Sequence, residues 1–234
     1  MLAITGLMLI GVFVGASAQI SVQRYRDSVT SYQTYIKDQY SRTLYVDNDR
    51  DGRQGCDNRA SVVEQEVSRG TSDCVVVGRY ITTRDGSTME AQTILAYTTS
   101  TVPSDPGASD AEDLRRYSFG LAGDTETYQL DWGSKLTASR SSAPGDVVFS
   151  LALIRSPVSG SIMTFKVNEA NALVRNIDDP DRGLINNLLT RNFDVCVQND
   201  AGGFMASPLA VRINAGASTG SAVEMPPELE GVCS

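Results

Sequence analysis

Carboxylates alternate with other residues directly before Gly52. The three carboxylates belong to Asp47, Asp49 and Asp51. Oxygen ligands at alternate positions ahead of a glycine are typical of the opening of a calcium-binding loop, where the glycine permits a sharp turn. The twelfth position of that loop is Asn58, which replaces the usual bidentate glutamate. The pattern therefore predicts either a calcium site at the three aspartates or a solvent-exposed turn rich in Asp, Asn and Gly.

The chain contains four cysteines and no histidine. The cysteines are Cys56, Cys74, Cys196 and Cys233. These cysteines follow an apolar N-terminal segment, described below, that would direct the chain to a membrane. An even number of cysteines in that setting indicates disulfides formed in an oxidising, extracytoplasmic compartment. We favour the pairs Cys56–Cys74 and Cys196–Cys233, because each joins near neighbours in the chain and neither crosses the other. Zinc is the competing interpretation, although the chain contains no CxxC pair. We expect no cofactor other than the calcium ion.

One short motif resembles a catalytic element. Residues 216–220 read Gly-Ala-Ser-Thr-Gly, the pattern of a nucleophile elbow, but that motif requires a histidine base and this chain has none. A serine–lysine arrangement is the remaining enzymatic alternative, and it would have to use one of three lysines: Lys37, Lys135 and Lys166. Phosphate-binding loops and dinucleotide-binding glycine runs are absent from the sequence. We therefore expect no enzymatic activity.

The charge balance argues against nucleic acid as a partner. The 234 residues include 20 basic and 28 acidic side chains, a formal net charge of −8. Surfaces that bind phosphate backbones depend on concentrated Lys and Arg, which this composition does not favour.

The N-terminal stretch organises the rest of the chain. Residues 1–23 carry no charged side chain, and residues 1–14 are almost wholly apolar. After Arg24 the pattern becomes amphipathic, with apolar side chains at spacings of three and four that fall on one face of a helix. We predict one unbroken rod of roughly 65 Å at about 1.5 Å per residue. Its packing face comprises Val22, Tyr25, Val29, Tyr32, Ile36 and Tyr40.

The apolar opening has two further interpretations. A cleavable signal peptide would end at small residues such as Ala16, Ser17 and Ala18, but it would also need a basic start, and no Lys or Arg precedes Arg24. A plain single-span anchor needs about 20 apolar residues, and this segment is marginal at that length. Both alternatives stay open beside the continuous rod.

The N-terminal segment resembles a known family. Residues 3–6 read Ala-Ile-Thr-Gly and residues 7–15 read LMLIGVFVG, and this run continues directly into an amphipathic helix and a cysteine-containing β domain. The segment is similar to type IV pilins and to the pseudopilins of type II secretion systems. The resemblance implies that the apolar half-helix holds the subunit in the membrane and later packs in a filament core. It also implies an inner platform protein and an assembly ATPase as partners.

The segment departs from the family at its start. The family's Gly-Phe-Thr-Leu-Ile-Glu run, with its cleavage site and buried glutamate, is absent. Either the sequence is truncated at an internal methionine or the subunit belongs to a type that lacks the glutamate, and we favour truncation. No residue is assigned the glutamate's role.

The chain after residue 74 predicts β structure. Residues 74–83 and 89–99 are rich in β-branched side chains and flank an Asp-Gly turn, a pattern typical of a hairpin. The nearly continuous apolar run from 146 predicts a central strand that the long helix covers. We predict a second hairpin and two closing strands at residues 146–155, 161–167, 193–198 and 209–214.

Shorter elements complete the prediction. Residues 61–68 begin with a capping-box spacing and predict one or two helical turns. Residues 100–113 read as an exposed loop, either a partner-specific face or a tolerated insertion. Residues 127–132 predict a strand, with Trp132 as a packing residue. Four residues at 178–181 predict the start of a short helix.

Together these patterns predict an α+β, pilin-like subunit. Residues 1–22 form the membrane or filament-core half of the helix, 23–46 the amphipathic half, and 47–234 an extracellular antiparallel β domain. We expect a homo-oligomer or a mixed filament with other pilins, serving adhesion, motility or secretion at the cell surface. The alternative is a single-pass membrane-anchored binding domain that never polymerises. The residues predicted to mediate assembly are Leu2, Ile4, Leu7, Leu9, Ile10, Val12 and Phe13.

Overall fold

A computed structural model gives the fold. The residues that it describes are 2–46, 54–58, 60–64, 72–83, 85–98, 109–114, 117–137, 149–167, 188–199, 208–225 and 233. The side chains of residues 2–14 lie outside that description, as do the three aspartates of the predicted calcium loop and the short helix predicted from residue 178.

Helix α1 is continuous from Leu2–Tyr45 and comprises 44 residues. Residues 2–45 contain no proline and no glycine after Gly15, so the backbone hydrogen bonds of the helix run without a break. The helix ends at Tyr45, and the next residue, Val46, has a φ of 38° in the left-handed region that redirects the chain. Within the part of the chain that the structure describes, no helix combines the length and apolar character needed to cross a bilayer.

Most of the described remainder is β structure in three antiparallel sheets. Their strand orders are β1-β2, β11-β10-β9-β6 and β5-β4-β3-β7-β8. A single turn of helix, α2, spans Asp110–Asp113. The strands are β1 Gln54–Cys56, β2 Val62–Glu64, β3 Cys74–Thr83, β4 Thr88–Thr98, β5 Tyr117–Gln129, β6 Ser134–Thr137, β7 Phe149–Arg155, β8 Ile162–Lys166, β9 Phe193–Asn199, β10 Leu209–Ile213 and β11 Val223–Glu224. The chain is therefore an α+β protein, as predicted.

Both predicted hairpins are present in the five-stranded sheet. Strands β3 and β4 pair up to Thr83 and Met89 at the turn, and β7 and β8 pair from Leu151 opposite Lys166. Strand β7 lies between β3 and β8 and is buried on both faces. Leu151 and Leu153 join the core shared with α1, whereas alternate residues of β7 join a second core on the opposite face. The helix covers β7, as its apolar run predicts.

Three predictions about the β domain are wrong in whole or in part. Val62 and Val63 lie in β2, which pairs with β1, instead of in a helical turn, and residues 65–68 of that prediction lie outside the described residues. Their β-branched side chains favour the strand, and a tight turn between Asp57 and Ser61 sets the pairing. The closing strands β9 and β10 do not extend the main sheet but form a second sheet with β6 and β11. The strand predicted at 127–132 is confirmed for residues 127–129, but it begins at Tyr117 and ends at Gln129.

Two disulfides join distant elements. Cys56 pairs with Cys74 at a Cα–Cα distance of 6.1 Å, and Cys196 pairs with Cys233 at 5.5 Å. This is the pairing that we favoured from the sequence. The first bridge ties β1 to the start of β3, and the second ties the residue before the C-terminus to β9.

Asp85 stabilises the β3–β4 turn in a pH-dependent way. Its Oδ1 accepts hydrogen bonds from the backbone N–H groups of Thr88 at 2.7 Å and Ser87 at 2.9 Å. The bond from Thr88 contributes most to lowering the pKa of Asp85 to about 2, from a usual value of 3.8. Because the folded pKa is depressed, the stabilisation is complete above pH 3.8 and is lost as the pH falls through about 2.

We therefore expect Asp85→Asn, which cannot ionise, to unfold more easily than the wild-type protein at pH 5. The difference in unfolding free energy should shrink steadily towards pH 2. Urea unfolding followed by circular dichroism across this range measures it. A difference that does not change with pH would contradict the assignment.

Candidate functional site

One face of α1 is buried against both larger sheets. The helix contacts β3, β7 and β8 of the five-stranded sheet and β10 and β11 of the four-stranded sheet. The predicted packing residues Tyr25, Val29, Tyr32, Ile36 and Tyr40 are all buried. Val22, predicted with them, is only partly buried. The amphipathic pattern therefore located the packing face correctly from Tyr25 onward, although it did not reveal that two sheets share it.

Tyr25 connects α1 to the four-stranded sheet. Its hydroxyl donates a hydrogen bond to the carbonyl oxygen of Val197 in β9 and accepts one from the N–H of Leu209 in β10, both at 2.6 Å. Burial raises the pKa of this hydroxyl, and the bond from Leu209 opposes that rise. The side chain thus satisfies two backbone groups at the end of the β9–β10 ladder.

Tyr25→Phe should lower the free energy of unfolding by about 1–3 kcal/mol, because it leaves a partly buried donor and a buried acceptor without a partner. Tyr45→Phe is the matched control, since Tyr45 is 80 % exposed. It should change stability by less than about 0.5 kcal/mol. Guanidinium denaturation of both variants measures the contrast, and equal midpoints would contradict the role of Tyr25.

Tyr40 makes the corresponding connection to the five-stranded sheet. Its hydroxyl lies 2.8 Å from Oγ1 of Thr164 in β8, and that oxygen donates to the carbonyl oxygen of Ala217 at 2.8 Å. Burial raises the pKa of Tyr40 to about 12, so the phenol stays protonated and can donate. A single hydrogen-bonded chain thus joins the helix, β8 and the turn after β10.

A second pair of tyrosines packs beside the helix. Tyr35 stacks on Tyr128 of β5 with ring centroids 4.4 Å apart, and Tyr128 donates a hydrogen bond to Oγ of Ser31 at 2.9 Å. Burial raises the pKa of Tyr32 and Tyr35 well above the ordinary tyrosine value. These phenols are therefore neutral packing groups and not proton-transfer groups at physiological pH.

A charged network joins α1 to the sheet edge. Oε2 of Glu126 in β5 accepts from Nη2 of Arg79 at 2.7 Å and from Nη1 of Arg42 at 3.1 Å. Nε of Arg79 also donates to Oε1 of Gln39, and Arg42 pairs with Asp38 at 2.7 Å. The side chain of Arg79 is only 11 % exposed, so its charge depends on these partners. The members of the network come from α1, β3 and β5, and no local motif could have predicted it.

The helix projects beyond the β domain. Gly15, Ala16, Ser17, Gln19 and Ile20 are exposed, and Tyr25 is the first buried side chain among the helical residues whose side chains the structure describes. At the exit, the guanidinium of Arg24 lies 4.6 Å from the ring centroid of Trp132. Trp132 is 53 % exposed, so the prediction that it packs in the core is wrong. Its ring instead lies beside Arg24, at the point where the helix leaves the domain.

The seven predicted assembly residues belong to the projecting part of the backbone of α1, and their side chains lie outside the description. Their role stays a prediction. They are Leu2, Ile4, Leu7, Leu9, Ile10, Val12 and Phe13.

The structure gives little support to the other predicted sites. The predicted calcium site at Asp47, Asp49 and Asp51 lies outside the described residues. Across the described ranges, no three His, Cys, Asp or Glu side chains converge in a way that could hold a metal ion. Ser218 of the elbow-like motif is exposed in the turn after β10.

Comparison of the chain with protein-family models, curated proteins and solved structures finds no match.

Proposed function

We propose that this chain is a structural subunit of a type IV pilus-like surface filament, and that it polymerises through α1. The proposal rests on the division of one helix into two environments. Residues from Tyr25 onward pack against two sheets, and the preceding stretch projects from the domain with exposed side chains. A projecting helix with an apolar sequence requires burial elsewhere, either in lipid or against other helices.

The mechanism transfers an apolar helix between two apolar surroundings. In the membrane the lipid covers residues 1–22, and in the filament the same surface is covered by the equivalent helices of neighbouring subunits. Because neither state exposes the apolar surface to water, subunits can be added and removed at modest cost. The globular domain stays on the outside, where two disulfides are consistent with an oxidising environment.

The proposal is tested on the cells that produce the protein. Surface appendages are sheared off, pelleted and imaged by electron microscopy, and their polypeptides are identified by mass spectrometry. We expect thin filaments that contain this chain and that disappear when its gene is deleted. If the chain stays in the membrane fraction as a monomer and no filament contains it, it is an anchored binding domain and the proposal is overturned.

A further inference from the structure

The face of α1 opposite the core is a strip with charged edges. We call it the outer strip, and it comprises Gln23, Arg26, Asp27, Thr30, Thr34, Lys37, Asp38 and Ser41. All of these side chains are exposed except Lys37, which is partly buried. The strip is bordered by β5 on one flank, where Tyr128 bonds to Ser31, and by β11 on the other, where Gln33 donates to the carbonyl oxygen of Val223.

The flank next to β5 carries an acidic pair. Asp27 and Asp38 are eleven residues apart, which places them within about 20° of each other around the helix and about 16 Å apart along it. They stand at the two ends of a groove of about 550 Å³ that is also lined by Thr30, Thr34 and the stacked Tyr35. Asp38 uses Oδ2 to pair with Arg42, and its side chain is 49 % exposed. Asp27 forms no ion pair with any described residue.

The flank next to β11 carries a basic pair with the same spacing. Arg26 and Lys37 are also eleven residues apart, so each lies about 100° around the helix from the acid that follows it in sequence. Neither forms an ion pair with a described residue. The two edges therefore place two acids opposite two bases at matching heights, and one of the acids, Asp38, also pairs with Arg42.

The centre of the strip permits close approach. Thr30 and Thr34 donate their hydroxyls to the carbonyl oxygens of Arg26 and of Thr30 itself, one turn earlier, at 2.9 Å. Their hydrogen-bonding needs are thus met within the helix. Short side chains with satisfied hydroxyls allow a second helix or domain edge to pack at a small distance.

We propose that the outer strip is an interface between copies of this chain, in which Asp27 and Asp38 of one subunit contact Arg26 and Lys37 of the next. The inference rests on the proposed function, because it assigns a contact surface to the same filament. The two edges differ, so the contact is heterologous: each subunit uses its acidic edge on one neighbour and its basic edge on the other. Such a contact does not close on itself as a two-fold dimer does, and it continues as an open assembly of parallel helices when its rotation does not close a ring.

The test uses charge reversal in the full chain, produced in its own cells. One strain carries Asp27→Lys with Asp38→Lys, a second carries Arg26→Glu with Lys37→Glu, and a third produces both variants together. The off-strip control is Glu64→Lys with Asp73→Lys, two exposed acids whose reversal causes the same change in net charge as the first strain. Thermal unfolding of each purified variant verifies folding, and sheared filaments are quantified by mass spectrometry.

Each reversed variant alone has like charges on both edges, so we expect about a tenfold or larger loss of filament. The mixture restores opposite charges at every contact, and its filaments should return to near the wild-type amount with equal shares of the two variants. The off-strip control should assemble normally. Normal assembly of either reversed variant alone, or a mixture as defective as its components, would overturn the interface while leaving the filament itself established. Absence of wild-type filaments would instead overturn the proposed function and this inference with it.

Discussion

Gly78→Ala should destabilise the protein by about 3 kcal/mol or more. Gly78 lies in β3 beside a register shift between Val76 and Gly78, and β3 is flanked by β4 and β7. A methyl group at this position would meet the backbone carbonyl oxygen of Leu153 in β7. Because that obstacle is backbone and not a flexible side chain, the two strands would have to separate and lose hydrogen bonds.

The matched control is Gly15→Ala in the projecting helix. A β-carbon there would meet nothing within 4 Å, and alanine is favoured over glycine in a helix by about 0.8–1.0 kcal/mol. The same substitution should thus destabilise at one position and be neutral or stabilising at the other. Urea unfolding measures both, and a Gly78→Ala midpoint equal to that of the wild type would contradict the close approach of β3 and β7.

Removal of the Cys196–Cys233 disulfide, by alanine at both positions, should cost about 4 kcal/mol in the chain-entropy account. The bridge spans 37 residues, and Cys196 is fully buried in β9 between β10 and β6. Without it, the backbone alone connects Cys233 to the four-stranded sheet. The loss should be seen as a lower midpoint in guanidinium denaturation.

The Cys56–Cys74 bridge provides the comparison. It spans only 18 residues, so its removal should cost about 3 kcal/mol. Reduction of the wild-type protein should destabilise it by more than either double-alanine variant is destabilised. If removal of the shorter bridge proved the more damaging, loop length would not be the controlling factor and the order predicted here would be wrong.

The sequence predicts those parts of the fold that depend on local pattern. The apolar spacing from Tyr25 to Tyr40 located the packing face of α1, and β-branched runs around short turns located both hairpins. These patterns report the period and burial of one element at a time. They do not report which strands pair across a long separation, so the assignment of β9 and β10 to a second sheet was missed.

The same distinction between local pattern and long-range contact applies to the residues of the candidate site. Arg79 and Glu126 are 47 positions apart, and no motif in the sequence around either residue indicates that they pair. Trp132 was misjudged because its environment depends on Arg24, more than a hundred positions away in the chain. By contrast, the charged edges of the outer strip can be read from sequence spacing alone once the buried face is known.

The seating of α1 between two sheets determines how the molecule would bear tension. A force applied to the N-terminal end of α1 would reach the β domain first at Tyr25, which is hydrogen-bonded to β9 and β10. It would next reach Tyr40, which is hydrogen-bonded to β8. The force is therefore shared between the four-stranded sheet and the five-stranded sheet, so that no single edge strand has to bear all of it. Cys233 is joined by a disulfide to Cys196 in β9, so the sheet that Tyr25 contacts first also carries a covalent cross-link.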